Sequence, residues 1–186
     1  MATETVRPNS NITVGWYTNG YDKINDAVTQ PTAPSTSSGT YLSANKNDDG
    51  EEDQYGLAAP ATSGTMSSIT LWVYGWVNTL TGGAAYTERQ IRVRLNGTWT
   101  SYASWAGAYS VDGSPSLAPN WSSYTWIVSG NAIGSSPAVG FKNAGSVGVG
   151  EEWYIYAAYL VITTSAGVSG NLRRHRALLT RFANLG

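Results

Sequence analysis

Glu88 to Leu95 reads ERQIRVRL, and it runs directly into Asn96-Gly97 and then Thr98 to Trp105, TWTSYASW. Side chains of a strand point to alternate faces, so Arg89, Ile91, Val93 and Leu95 share one side and Glu88, Gln90, Arg92 and Arg94 the other. That is the pattern of a half-buried strand with one wet face. Both central residues of a two-residue hairpin turn need positive φ, which Asn-Gly supplies at low cost. Residues 88–105 are therefore expected to form a hairpin, with Thr98 to Trp105 as the return strand.

The same period extends outward from this hairpin. Ser67 to Asn78, SSITLWVYGWVN, places Ile69, Leu71, Val73 and Val77 on one face and Thr70, Trp72, Tyr74, Trp76 and Asn78 on the other. Tyr124 to Val128 and Pro137 to Lys142 read as shorter strands. Glu152 to Thr164, EWYIYAAYLVITT, is apolar on both faces, and its β-branched and aromatic content favours a central strand over a helix. Seven to nine short strands separated by Gly, Pro, Ser and Asn turns predict an all-β, two-sheet antiparallel β-sandwich, with a jelly roll as the most economical topology. No repeat recurs at a fixed period.

The ends of the chain differ from this body. Residues 1–39 are polar, with the turn-rich run Thr29-Gln30-Pro31-Thr32-Ala33-Pro34, and they read as an extended N-terminal arm or long loop with one short strand near Ile12 to Tyr17. Residues 40–164 are the sandwich, and 165–186 are a linker and a helix. In that last segment Leu172, Leu178, Leu179, Phe182 and Leu185 recur at helical spacing, Arg173, Arg174, Arg176 and Arg181 fill much of the rest, and Asn171 is placed to cap the start. A helix this short is marginal alone and needs a surface to pack on.

Composition narrows the function classes. The 186 residues include 8 Trp, 12 Tyr, no Cys and a single His, and only 12% are charged. The aromatic content argues against disorder, and the lack of cysteine removes disulfides, thiolate zinc sites and cysteine nucleophiles. His175, on the tail helix among arginines, reads as a surface or interface residue. No apolar run approaches the roughly 20 residues of a membrane-spanning helix, and the first eight residues lack the basic start and apolar stretch of a secretory signal. A net charge of −1 argues against whole-molecule steering to nucleic acid. The charge is nevertheless two-ended: the tail holds four arginines and no acid, leaving residues 1–170 with seven basic and twelve acidic groups. These features favour a binding or structural protein over an enzyme.

Three constellations could carry chemistry. Asp48, Asp49, Glu51, Glu52 and Asp53 surround Gly50, but their spacing departs from the twelve-residue calcium loop, so a solvated turn is the expectation over a Ca²⁺ site. Glu151 with Glu152, or Glu88 with Asp112, could supply a glycosidase pair. Adjacent residues of a strand face opposite ways, however, and no convergent dyad or triad stands out. Trp72, Tyr74 and Trp76 form an aromatic row opposite the inward face. Such a row either fills an interface or lies under the 1–39 segment, or it stacks on a ligand such as a sugar. Trp99, Trp105, Trp121, Trp126 and Trp153 read as core or rim. No cofactor or metal is implied.

Several stretches together resemble tailed-bacteriophage virion structural proteins with a β-sandwich. They are Val14-Gly15-Trp16, Lys23-Ile24-Asn25-Asp26 with Pro31 to Pro34, Thr40-Tyr41-Leu42 with the acidic loop Asp48 to Tyr55, Ile69 to Val77, Ile91 to Trp99, Pro119 to Trp126 and Trp153 to Thr164. The likeness spans residues 14–164. The Asn120-Trp121-Ser122 segment departs from the group's usual Pro-Trp-Thr, and the basic C-terminal helix lies outside the pattern. The resemblance implies a non-enzymatic virion protein on the particle surface, a head decoration or auxiliary capsid protein. It would form a homo-oligomer, a trimer among the options, on another virion protein such as the major capsid protein, without nucleic acid or membrane. In this reading the arm (about residues 1–12) and the helix do the attaching, through Leu172, Arg173, Arg174, Arg176, Leu178, Leu179, Arg181, Phe182 and Leu185. The alternative is a carbohydrate-binding β-sandwich module, such as a tail receptor-binding domain, with Trp72, Tyr74 and Trp76 as an open glycan platform.

Overall fold

The hairpin forms as its turn chemistry requires: Asn96 has φ 47° and Gly97 φ 80°, and Leu95 pairs with Thr98 and Arg94 with Trp99 across it. The return strand is shorter than expected and broken, Thr98–Trp99 and then Ala103–Ser104: Thr100 still donates its N–H to the Val93 carbonyl (2.8 Å) but takes the Val93 N–H on its hydroxyl (3.1 Å), and Ser101 and Tyr102 leave the ladder. The computed structural model describes residues 2–16, 19–37, 39–44, 50–61, 65–78, 89–110, 119–128, 134, 136–144 and 152–165. In chain order the strands are β1 (Ala2–Val6), β2 (Pro8–Thr13), β3 (Leu42–Ala44), β4 (Glu52–Leu57), β5 (Met66–Asn78) and β6 (Arg89–Leu95). There follow β7 (Thr98–Trp99), β8 (Ala103–Ser104), β9 (Ala108–Ser110), β10 (Asn120–Ile127), β11 (Ala138–Asn143) and β12 (Glu152–Thr164), with one 3₁₀ turn at Tyr21–Lys23.

These strands make a two-sheet β-sandwich, antiparallel except where β9 runs parallel to the end of β5. The first sheet has the order β1-β12-β5-β10, with β3 continuing the β1 edge along β12. The second has the order β2-β4-β11-β6, with β7 and β8 along the far side of β6. The inner faces carry the residues that the period-two reading placed there. Ile69, Leu71, Val73, Ile155, Leu160 and Ile162 of the first sheet meet Tyr55, Ile91, Val93, Val139 and Phe141 of the second, all buried in one cluster. Trp153 anchors it, with ring centroids 5.2 Å from Trp16, 5.4 Å from Trp105 and 6.1 Å from Phe141.

The N-terminal residues are not an arm reaching to neighbours. β1 pairs with Leu160 to Thr164 of β12 and β2 pairs with β4, so the first thirteen residues supply an edge strand to each sheet and the sandwich begins at residue 2 rather than 40. Of the strand expected near Ile12 to Tyr17 only Ile12 and Thr13 are extended, as the end of β2; Val14 to Trp16 follow it without regular structure, and Tyr17 lies outside the described residues. Backbone groups explain the difference: a polar extended segment gains as much from the open edge of a sheet as an apolar one does. β10 likewise starts at Asn120, before the expected Tyr124. The segment expected to form the C-terminal helix, the glycines and serine before it and His175 lie outside the described residues.

Of the acidic run only Gly50 and Glu51 match the expected solvated turn, and the residues after them are built into the sandwich. Asp48 and Asp49 lie outside the described residues, Glu51 is exposed, Glu52 is in an ion pair, and Asp53 is fully buried. One oxygen of Asp53 accepts the backbone N–H groups of Gly15 (2.6 Å) and Trp16 (3.1 Å), and the other accepts the Tyr55 hydroxyl (2.6 Å). Asp53 thus fastens the loop after β2 to β4 and presents Trp16 to the core. Burial, and then the Asp53 charge and hydrogen bond, push the Tyr55 phenol far above its ordinary value of 10.0. The unfolded chain ionises Tyr55 near pH 10 and the folded chain does not, so this group's share of stability is intact below pH 10 and is lost as pH rises beyond it. Phenolate absorbance and circular dichroism followed together should show Tyr55 ionising only with unfolding. In a Tyr55→Phe variant, stability should fall less steeply above pH 10. Ionisation of all described tyrosines before any loss of structure would contradict this.

Candidate functional site

The outer face of the first sheet divides into an aromatic half and a hydroxyl half. A bulge in β12 between Ile155 and Ala157 turns Tyr156 and Ala157 to the same side. Cross-strand register then brings Tyr154 opposite Trp76 and Tyr159 opposite Trp72, and both pairs stack, with interplanar angles of 19° and 17°. Trp121 of β10 lies opposite Tyr74, its ring 5.2 Å from both Tyr74 and Tyr159. Tyr41 closes the group against Tyr154 and Tyr156.

The row Trp72, Tyr74 and Trp76 therefore faces outward, as its spacing indicates, but does not stand open as a flat platform. Tyr74 is 8% exposed and the two tryptophans are half-buried among this chain's own tyrosines. Part of the 24–34 segment crosses the same face. Ala158 donates its N–H to the Ile24 carbonyl (3.0 Å) in the gap between β3 and β1. Gln30 N–H donates to the Tyr159 hydroxyl (3.2 Å), and the Trp121 indole N–H to the Thr32 carbonyl (2.8 Å). Arg7 ties the segment down from β1's end, donating to the carbonyls of Asp26 and Val28. Of the two sequence readings of the row, cover by the 1–39 segment is the one these bonds describe. Burial raises the Tyr74 and Tyr156 hydroxyl pKa values, while the Trp76 indole N–H donated to Tyr156 opposes the shift there.

Beyond the aromatic half, the outward positions are Thr3 and Thr5 of β1, Val161 and Thr163 of β12, Ser68 and Thr70 of β5, and Ser123, Thr125 and Ile127 of β10. None is charged. Trp121 belongs with this face, although sequence reading left it among core or rim residues. Its signal was positional, because only the register of β10 against β5 sets it beside Tyr74.

The second sheet's outer face is electrostatic in character. The Arg92 guanidinium makes a bidentate pair with Glu52 (2.7 and 2.5 Å) across Gly140, where a Cβ would sit on the Glu52 carboxylate. Trp99 and Tyr102 lie 4.3 and 4.4 Å from that guanidinium, and Tyr102 and Gln54 donate further hydrogen bonds to Glu52. Burial first, and then Glu52, raise the Tyr102 hydroxyl pKa.

Glu152 accepts a hydrogen bond from the Tyr154 hydroxyl. Glu151, Glu88 and Asp112, the partners in the two possible glycosidase pairs, lie outside the described residues. So do the tail residues Leu172, Arg173, Arg174, Arg176, Leu178, Leu179, Arg181, Phe182 and Leu185. Among the described residues no cluster of three metal-ligating side chains occurs.

No protein-family model and no curated protein matches the chain. Nine solved chains are similar to it. One is the CBM36-1 domain of a multidomain xylanase from the hindgut metagenome of Trinervitermes trinervoides. It is 13% identical over 90% of this chain and 100% of that one, with a TM-score of 0.39.

Removing the Glu52 charge leaves Arg92 partly buried without its carboxylate. Glu52→Gln should therefore cost about 1–3 kcal/mol in chemical denaturation, and the Gly140→Val variant should lose a similar share by displacing the same carboxylate. Unchanged stability in both would show that the pair contributes nothing.

Proposed function

We propose that this chain is a non-enzymatic structural protein whose copies join through the β10 edge to coat the surface of a larger particle. One observation carries the self-association: β10 is a long, uncharged strand whose far side no described strand pairs. Proteins usually blunt such edges with charge, proline, bulges or brevity. The other edges here follow that rule. β2 opens with Pro8 and has two register shifts, β1 carries Glu4, and β3, β7, β8 and β9 are two or three residues long. In β10, NWSSYTWI, no device of that kind is present, and Tyr124 and Ile127 are 43% and 79% exposed.

A second copy is the occupant that charge favours. With twelve acids against seven bases in residues 1–170, an uncharged edge is a place where two such bodies meet without like-charge repulsion. A two-fold axis normal to the sheet keeps outward residues with outward residues. Setting Tyr124 opposite Tyr124 of the second copy then places Trp121 opposite Ile127 and Ser123 opposite Thr125 on the outer face, with Ser122 opposite Trp126 on the inner face. Apolar meets apolar and hydroxyl meets hydroxyl in the outer pairs. Like edges make an isologous contact that closes as a dimer, the form in which we propose the expected homo-oligomer.

The particle is a tailed phage's in the reading that the resemblance over residues 14–164 supports, with the major capsid protein beneath and the C-terminal helix as a further attachment. A carbohydrate-binding role would need a surface other than the covered aromatic row.

Light scattering should find the wild-type chain as a dimer, and Ser123→Lys with Thr125→Lys should convert it to a folded monomer. Particles purified from the source should contain the chain at a fixed ratio to the major capsid protein by mass spectrometry. A wild-type monomer would overturn the edge pairing, and absence from particles would overturn the virion role.

A further inference from the structure

The outer face of the second sheet holds a cleft that neither the assembly reading nor the ion pair of Arg92 uses. Register lines up Ser10 of β2, Gly56 of β4, Ala138 of β11, Arg94 of β6 and Trp99 of β7 in one row across five strands. The middle of that row is a floor of small residues between taller walls. The resulting cleft has a volume of about 360 Å³, with Asn9, Ser10 and Ile12 on one side and Arg94, Ser136 and Pro137 on the other. Gly56 keeps the floor low, since a Cβ there would meet the Ser10 hydroxyl.

Arg94 gives the cleft its chemistry. Its neighbour Arg92 is neutralised by Glu52, but no described carboxylate pairs with Arg94. Its guanidinium carbon is 5.4 Å from the Trp99 ring centroid, which steers the plane without cancelling the charge. Its Nε is buried and without a hydrogen-bond partner among the described residues. A buried, unpaired guanidinium donor is costly unless something supplies an acceptor, and the planar fork suits a carboxylate. The other groups around it are the Asn9 amide, the Ser10 and Ser136 hydroxyls and the apolar edges of Ile12 and Pro137. Hydroxyl-bearing rings fit that mixture: polar edges meet the amide and hydroxyls while C–H faces lie on the apolar edges.

We infer that this cleft binds a carboxylate-bearing saccharide, with Arg94 taking the sugar carboxylate and Asn9, Ser10 and Ser136 its hydroxyls. The inference stands apart from the β10 edge, on the opposite sheet, and either can fail without the other.

The test is calorimetric titration of the full chain with galacturonate oligomers, with neutral galactose oligomers of the same length, and with acetate and inorganic phosphate, alongside amide chemical shifts. The acidic oligomer should bind, shifting the amides of Ser10, Gly56 and Ser136, and the neutral oligomer and small anions should not. Arg94→Gln should weaken binding about tenfold or more. Lys142→Gln, which removes the same charge from another row of the face, should leave it unchanged. Ser136→Trp, at the exposed rim, should block the cleft and serves as a second variant if Arg94→Gln fails to fold. Several outcomes would overturn the assignment: no binding, equal binding of neutral and acidic oligomers, acetate or phosphate bound as tightly as the oligomer (an adventitious ion only), or equal losses in Lys142→Gln and Arg94→Gln.

Discussion

Two thirteen-residue strands, β5 and β12, lie side by side at the centre of the first sheet with large apolar or aromatic side chains on both faces. That constraint organises the rest of the molecule. One face is covered by the second sheet, as in any sandwich. The other needs a second cover, and part of the 24–34 segment, pinned by Arg7, Tyr159 and Trp121, provides it over the aromatic half. Burying a side chain of this size is worth about 1.5–3 kcal/mol, so covering Tyr74, Tyr156 and Tyr159 offsets part of the cost of ordering the loop, about 1–2 kcal/mol per residue, and the hydrogen bonds that pin it add to that. Where the aromatics give way to Thr, Ser and Val, no described segment covers the sheet.

The division of the outer face follows from where the bulge in β12 falls. Tyr156 and Ala157 share a side there, which packs extra ring volume over Tyr74 and makes the covered half thick. Past the bulge, β12 keeps a regular register against β5 through Thr163, before a second shift between Thr163 and Thr164. The same strand thus builds a second small core at one end and a flat hydroxyl surface at the other. The second sheet has no comparable need for cover. Its outward residues include Arg92, Glu52, Lys142, Gln54 and Gln90, which hydrate well or pair among themselves, and Arg94, whose Nε is buried without a partner among the described residues. It keeps its small central residues, Gly56, Ala138 and Gly140, where long side chains from neighbouring strands must cross.

Most of the inner architecture was legible in the sequence, for a physical reason. The period-two patterns at 67–78, 88–95 and 152–164 record burial, and burial was decided by local alternation. Asn96-Gly97 was readable because only a few residue types tolerate positive φ at both turn positions. The edge strands β1 and β2 were not readable, because their place in the fold depends on backbone hydrogen bonds that any polar sequence can make. Asp53 was misread with its acidic neighbours as solvated. Its strand parity, shared with the inward Tyr55 and Leu57, was the available signal, but charge dominated the reading. The cleft around Arg94 draws on five strands distant in sequence, so no linear pattern announces it. The outward direction of Trp72, Tyr74 and Trp76 was correct from spacing alone, whereas their cover depended on a turn-rich segment about forty residues away.

The central claim is that two copies meet edge to edge along β10 with Tyr124 at the two-fold axis. The chain contains no cysteine, so a single Tyr124→Cys substitution creates one thiol per copy. Directly opposed residues of an antiparallel pair have Cα atoms about 4.5–5.5 Å apart, within reach of a disulfide. Under mild oxidation the Tyr124→Cys chain should become a disulfide-linked dimer at micromolar concentration, and a Ser136→Cys control on the opposite sheet should stay monomeric on a non-reducing gel. A Tyr124→Cys chain that cross-links no faster than the control would contradict the account.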